Sequence, residues 1–216
     1  MVELSKEFVT LKINPELNAE NAELQKKYRV PGYPTVAFVS AEEELISLNV
    51  GMRNAEQFTL LMREALEFKQ LKALVKKNPE DREATAKLAL IYAKGGNFEQ
   101  GKPYVEKAME LDPENKTGLL PELHLHSGLY YGMNAEGENA EANFKKAEEH
   151  FGAVVEKYPE SSTYEIALLY LGITYAIQEK NDLAVSTLEK LENAKDSTVK
   201  TRAKQFLEQV KDTMKK

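Results

Sequence analysis

The sequence contains no cysteine among its 216 residues. A disulfide framework, a zinc site with thiolate ligands and a cysteine nucleophile are therefore excluded for this chain. The apolar runs are short and interrupted by charge, and none approaches the roughly 20 residues that cross a bilayer. We therefore predict no membrane span. Residues 1–12 lack a cationic start followed by an apolar core, so we expect a soluble, cytoplasmic chain as given, and an exported one if a signal lies upstream of Met1.

An excess of basic residues is also absent. The chain has 35 acidic and 29 basic residues, a formal net charge of -6, and no lysine or arginine cluster among aromatic residues. Nucleic acid needs such an electrostatic footprint, so we expect no nucleic-acid partner. The 42% of hydrophobic and 30% of charged residues are typical of a soluble globular protein that buries a core.

No arrangement of residues predicts catalysis. His124 and His126 lie two positions apart, so on a helix they point about 200° from each other and cannot share an ion. His150 stands at no useful spacing, and we interpret the three histidines as structural. No nucleophile, base and orienting group occur at a recognisable spacing. The sequence predicts no enzyme activity, no metal and no cofactor for this chain.

The first seventy residues have the pattern of a small α/β module. Residues 8–13 are apolar and β-branched enough for a strand. Asn14 then provides a helix cap, with proline at the first helical position, and predicts a helix over residues 15–28. Residues 34–39 and 44–50 are predicted strands, and the short acidic stretch between them indicates an antiparallel hairpin.

A long helix is predicted next. Asn54 is its expected cap, and it extends to about Lys77. One apolar stripe follows the helix, formed by Phe58, Leu61, Met62, Ala65 and Leu66. The element order to this point is β-α-β-β-α. The three glutamates at positions 42–44 are interpreted as a solvated turn.

This order resembles the C-terminal half of the thioredoxin fold. The motif that carries the resemblance is Tyr28-x-Val30-x-Gly32-Tyr33-Pro34-Thr35, between the helix and the apolar strand. The resemblance implies that the Tyr33–Pro34 peptide is cis, and that Tyr33 and Pro34 contact an extended substrate chain.

The resemblance is incomplete, because the family places a strand, a helix, a second strand and a Cys-x-x-Cys helix before the point where this sequence starts. Only residues 2–7 could be a remnant of that helix. The missing strand normally lies between those matching residues 8–13 and 34–39, so both are expected to have open edges. Three explanations are considered: a truncated start, strands donated by a second copy, or a helical domain that covers the gap.

The remaining residues repeat at a period of 34. Asn-Pro-Glu at 78–80 recurs as Asp-Pro-Glu at 112–114, and residues 165–195 repeat the same spacing. A weaker unit with an insert near residues 133–141 lies between them. The signature residues of the first unit are Leu88, Ala89, Tyr92, Gly95, Gly96, Asn97, Gly101, Val105 and Ala108. This pattern resembles tetratricopeptide (TPR) repeats, helical pairs that bind proteins or peptides on a concave surface. Residues 200–214 are predicted to form a capping helix.

The positions that would line that surface are apolar. They are Ala86, Leu90, Leu169 and Ile173, so the resemblance implies no clamp for a terminal carboxylate. Leu90, Leu169 and Ile173 are therefore candidate binding residues on an apolar inner face. Packing of these helices against a neighbour is the alternative interpretation of the same stripe.

The sequence thus predicts a mainly α chain, with an incomplete thioredoxin-like module at residues 1–69 and a TPR-like array with a capping helix at 70–216. The predicted function is a non-enzymatic scaffold that binds a protein or peptide, with homodimerisation as a further possibility. The alternative is a fragment of a thiol-disulfide oxidoreductase whose catalytic cysteines lie upstream of Met1.

Overall fold

The computed structural model of the protein describes residues 2–215 and is mainly helical. Two compact units divide it, one ending at Thr117 and the other beginning at Gly118. In the first unit the elements are α1 (Val2–Ser5), α2 (Ala19–Lys27), β1 (Thr35–Val39), β2 (Leu45–Val50), α3 (Ala55–Lys77), α4 (Arg82–Lys94) and α5 (Phe98–Leu111). In the second they are α6 (Leu120–Met133), a 3₁₀ turn (Gly137–Asn139), α7 (Ala140–Lys157), α8 (Tyr164–Ile177), α9 (Asn181–Glu189) and α10 (Ser197–Thr213).

The predicted hairpin is confirmed. β1 pairs antiparallel with β2, Thr35 lies opposite Val50, and an irregularity between Phe38 and Val39 shifts the register near the turn. The Tyr33–Pro34 peptide that precedes β1 is cis, as expected.

The strand predicted over residues 8–13 is wrong. Only β1 and β2 form a sheet within the described part of the chain, and residues 9–14 are irregular. Val9 is 92% and Leu11 75% exposed, whereas Phe8 lies with its ring 5.5 Å from that of Phe38. A strand needs a neighbour for its N–H and C=O groups, and these residues have none.

The predicted start of the following helix is also wrong. Asn14 forms a turn, accepting a hydrogen bond from the N–H of Glu16 at 3.1 Å. α2 begins after Asn18, whose side chain accepts from the N–H of Asn21 at 2.8 Å. Asn14 and Asn18 are equally good caps, so the cap residue alone does not choose between the two starts. The earlier start would be favoured if it buried Leu17, but Leu17 is exposed.

α3 connects the hairpin to the helices that follow. Asn54 caps it together with Gln57 in a capping box, and its 23 residues confirm the predicted long helix. One core extends from Phe38 in β1 through Met62 and Phe68 in α3 to Tyr92 in α4. The hairpin therefore shares its core with α3 and α4 inside the compact unit that ends at Thr117, and the domain boundary at 69/70 stays a prediction.

The repeat region consists of packed helical pairs. α4 packs on α5 in the first unit, and α6 on α7 and α8 on α9 in the second, with α10 packed on α9 and α8. A Cβ atom at each of three glycines would collide with the opposing helix: Gly101 with Tyr92 at 2.2 Å, Gly128 with Phe151 at 2.6 Å and Gly172 with Leu188 at 2.7 Å. The absent side chains let the paired helices approach closely.

Candidate functional site

The outer edge of β1 is open. The N–H of Gly51 donates to the carbonyl of Pro34 at 2.8 Å, so Pro34 faces β2. Because hydrogen-bonding direction alternates along an antiparallel strand, the N–H and C=O groups of Thr35, Ala37 and Val39 point away from β2. Within residues 2–215 no hydrogen bond to these groups is present. We call this row of backbone groups the β1 edge.

The opposite edge of the hairpin is closed. The N–H of Leu48 donates to the carbonyl of Gly95 at 3.1 Å, and the side chain of Asn97 donates to the carbonyl of Leu45 at 2.8 Å. Both acceptor and donor come from the turn between α4 and α5. The turn fits only because position 95 is glycine, since a Cβ there would lie 2.0 Å from the carbonyl oxygen of Ile46.

The face of the hairpin that points away from the core is apolar. Phe38 and Ile46 are buried against α3. The residues of β1 on the other face alternate with Phe38, and Val39 there is 38% exposed. The β2 residues on this outer face are also apolar, since Leu48 lies opposite Ala37 and Val50 opposite Thr35. An exposed apolar sheet face beside an open edge is typical of a surface that binds another chain.

The loop before β1 presents the two residues that the thioredoxin resemblance identified. Tyr33 is 62% exposed and Pro34 is also exposed. The hydroxyl of Thr35 donates to the carbonyl of Gly32 at 2.5 Å, which closes the loop, and the bond from Gly51 holds Pro34 to the end of β2. Tyr33 therefore stands at the start of the β1 edge with its side chain accessible.

The three candidate residues of the repeat region have different environments. Leu169 is 1% exposed and belongs to the core that α8 forms with α9 and α10, so it offers no surface to a ligand. Ile173 packs against that same core and is half-buried. Leu90 is half-buried on α4, in the first unit. The structure therefore leaves accessible surface at Leu90 and Ile173 only, each within its own unit.

A buried polar network in the first unit escaped the sequence analysis. Glu44, which the sequence analysis interpreted as solvated, is largely buried. Its carboxylate accepts a hydrogen bond from the Tyr92 hydroxyl at 2.5 Å and forms an ion pair with Lys72 at 2.5 Å. Burial, together with the bond to Glu44, raises the pKa of Tyr92 far above its usual value, so the phenol stays protonated. Only Glu42 and Glu43 remain exposed, and Glu43 pairs with Lys27. The network joins the hairpin turn to α3 and α4.

The histidine pair in the second unit was also missed. The Nδ1 atoms of His124 on α6 and His150 on α7 lie 3.0 Å apart, and the ring of Tyr131 stacks on that of His150 at 5.6 Å. Burial lowers the pKa of both imidazoles to about 4. Charge repulsion adds to the effect, from His150 and then Lys157 at His124, and from Lys146 at His150. Both rings are therefore neutral at pH 7. Nothing in the sequence signals a contact between residues 26 positions apart in different helices.

The comparisons add no assignment. Protein-family models, curated proteins and solved structures give no match to this chain. Across residues 2–215 no cluster of three or more histidine, aspartate or glutamate side chains has the arrangement of a metal site. None of the helices formed by these residues combines the length and the apolarity needed to traverse a bilayer.

Proposed function

We propose that this chain is a protein-interaction module that binds an extended polypeptide along the β1 edge. The open edge is the observation that carries the proposal. Thr35, Ala37 and Val39 present unpaired backbone groups, and their side chains lie on the apolar outer face of the hairpin. Addition of one strand would satisfy the backbone groups, while alternate side chains of the ligand would contact that face.

The surrounding structure suits this role. The core that joins β1, α3 and α4 holds the hairpin from one side, and the turn at Gly95 blocks its second edge. A ligand strand is thereby directed to one edge only. Tyr33 lies next to that edge and supplies an exposed aromatic side chain, of a type frequent in protein interfaces.

The two resemblances remain part of the proposal. The 34-residue spacing and the close contacts at Gly101, Gly128 and Gly172 support TPR-like helical pairs, whose role in other proteins is to bind proteins. The β-α-β-β-α order predicted from the sequence supported a redox-inactive partial thioredoxin-like module, and the first of those strands is absent from the structure. The half-buried Leu90 and Ile173 are secondary candidates for contact with a partner.

A peptide-display selection tests the proposal. Peptides with alternating apolar residues are selected on the intact chain, and binding is mapped by amide hydrogen exchange. We expect protection of the amides of Thr35, Ala37 and Val39, which point outward, with no change at Val36 and Phe38, which already bond to β2. Ala37→Pro, which removes one outward N–H, should abolish binding, whereas Ala41→Gly in the exposed hairpin turn should not. Selected peptides that bind the Ala37→Pro variant unchanged would contradict the proposal.

A further inference from the structure

We infer that the polypeptide bound at the β1 edge is a second copy of the same chain, added as an antiparallel strand about a two-fold axis at Ala37. This inference rests on the proposed function and names its partner. It makes the hairpin half of a four-stranded sheet in which the two β1 strands are central.

The backbone of β1 is self-complementary. With Ala37 opposite Ala37 of the second copy, Thr35 falls opposite Val39 at both ends of the five-residue strand. The outward N–H and C=O groups of these three residues then meet each other across the axis. Up to about six hydrogen bonds form in an antiparallel pairing of this length, and a two-fold axis closes the assembly at two copies.

The side chains agree with this register. Val36 would lie opposite Phe38 of the second copy, and a β-branched residue facing an aromatic one is a favourable cross-strand pair. Val36 is 37% exposed although it shares the face of the buried Phe38, so the added strand would cover it. On the outer face, Ala37 would lie beside Ala37 of the second copy and Val39 beside its Thr35, so the outer faces of the two hairpins would form one surface.

The charge and the apolar surface favour a second copy. β1 has no charged residue, so no like charges meet at the axis despite the net charge of -6. The charged residues and prolines that natural edge strands use against such pairing are absent from β1, whereas the turn at Gly95 hydrogen-bonds to β2. Tyr33, Val36 and Val39 are exposed apolar residues in or beside β1, and pairing with a second copy would remove part of this surface from water in both chains.

Light scattering and sedimentation of the full chain over a concentration series provide the test. The unchanged chain should form a dimer as concentration rises. Ala37→Glu places two carboxylates opposite each other at the axis and Ala37→Lys two ammonium groups, so each variant alone should be monomeric with its dissociation constant raised at least tenfold. An equimolar mixture of the two should dimerise again, because unlike charges then meet. This rescue also shows that both variants fold.

Ala41→Glu is the matched control, since it adds the same charge to an exposed position of the same hairpin and should dimerise like the unchanged chain. A chain that stays monomeric at every concentration, or an Ala37→Glu variant that dimerises as tightly as the original, would overturn the inference. If the chain is monomeric and selected peptides still protect Thr35, Ala37 and Val39, the proposed function stands and only the identity of the partner is wrong. If the chain dimerises without protection of these amides, the inference fails, and the selected peptides alone decide the proposed function.

Discussion

The N–H of Leu48 donates a hydrogen bond to the carbonyl of Gly95 across a sequence separation of 47 residues, at 3.1 Å. Through this bond the turn between α4 and α5 closes one edge of the hairpin, while the β1 edge stays open.

Gly95→Ala should destabilise the first unit by about 1–3 kcal/mol, because the new Cβ would collide with the carbonyl of Ile46 at 2.0 Å. Urea unfolding of the intact chain measures the change. Gly96→Asn is the control at the neighbouring position, which has a positive φ of 82° and open space around it. Asparagine tolerates that conformation, so its cost should stay below about 1 kcal/mol. Equal costs at both positions would show that Gly95 does not contact β2.

Gly128→Ala should destabilise the second unit by about 1–3 kcal/mol, since the added methyl group would lie 2.6 Å from the ring of Phe151. Gly152→Ala, in the interior of α7 with no atom within 4 Å of the new Cβ, should instead stabilise by about 0.5–1 kcal/mol through helix propensity. Thermal unfolding of the two variants measures both the expected loss and the expected gain of stability. A stabilising Gly128→Ala would refute the close contact of α6 with α7.

Tyr92→Phe should cost about 1–3 kcal/mol, because it removes a hydroxyl donor from the largely buried carboxylate of Glu44, which keeps its contact with Lys72. Tyr33→Phe makes the same chemical change at an exposed position and should leave stability unchanged. The midpoints of urea unfolding compare the two variants. If Tyr92→Phe is as stable as Tyr33→Phe, the network does not contribute to the fold.

Acid should destabilise the second unit through the histidine pair. The folded pKa of about 4 for His124 and His150 lies below the unfolded value near 6.5, so the unfolded state binds protons first as pH falls. The stabilisation is complete above pH 6.5 and is lost as pH drops from 6.5 to 4, by on the order of 3 kcal/mol for each histidine.

An NMR titration of the ring protons measures these pKa values directly, and stability measured between pH 7 and pH 4 gives the slope. A variant with His124→Phe and His150→Leu should lose most of that slope. Rings that titrate near 6.5 in the folded protein would contradict the buried pair.

Local signals in the sequence were sufficient for part of the fold. Asn54 followed three residues later by Gln57 predicted the start of α3, and the hairpin followed from two apolar strands with a short acidic turn. The spacing of Leu88, Tyr92 and Gly101 placed a helical pair correctly. Each of these features depends on residues close together in the chain, where propensity and periodicity act.

Features that depend on distant partners could not be predicted this way. Residues 8–13 have the composition of a strand, but a strand exists only with a neighbour, and composition does not say whether one is present. Glu44 was predicted to be solvated, but its carboxylate bonds to Tyr92 of α4, which lies 48 positions away in the sequence. His124 was compared with His126 along one helix, while its contact is His150 on another. In each case the environment is set by packing between elements.

α3 has a mechanical consequence. Because Met62 and Phe68 of this one helix share a single core with Phe38 of the hairpin and Tyr92 of α4, tension applied by a chain bound at β1 would pass directly into the helical layer without crossing a flexible linker. Pulling on the hairpin in a single-molecule experiment should therefore rupture the first unit as one body, with no separate low-force step for the two strands.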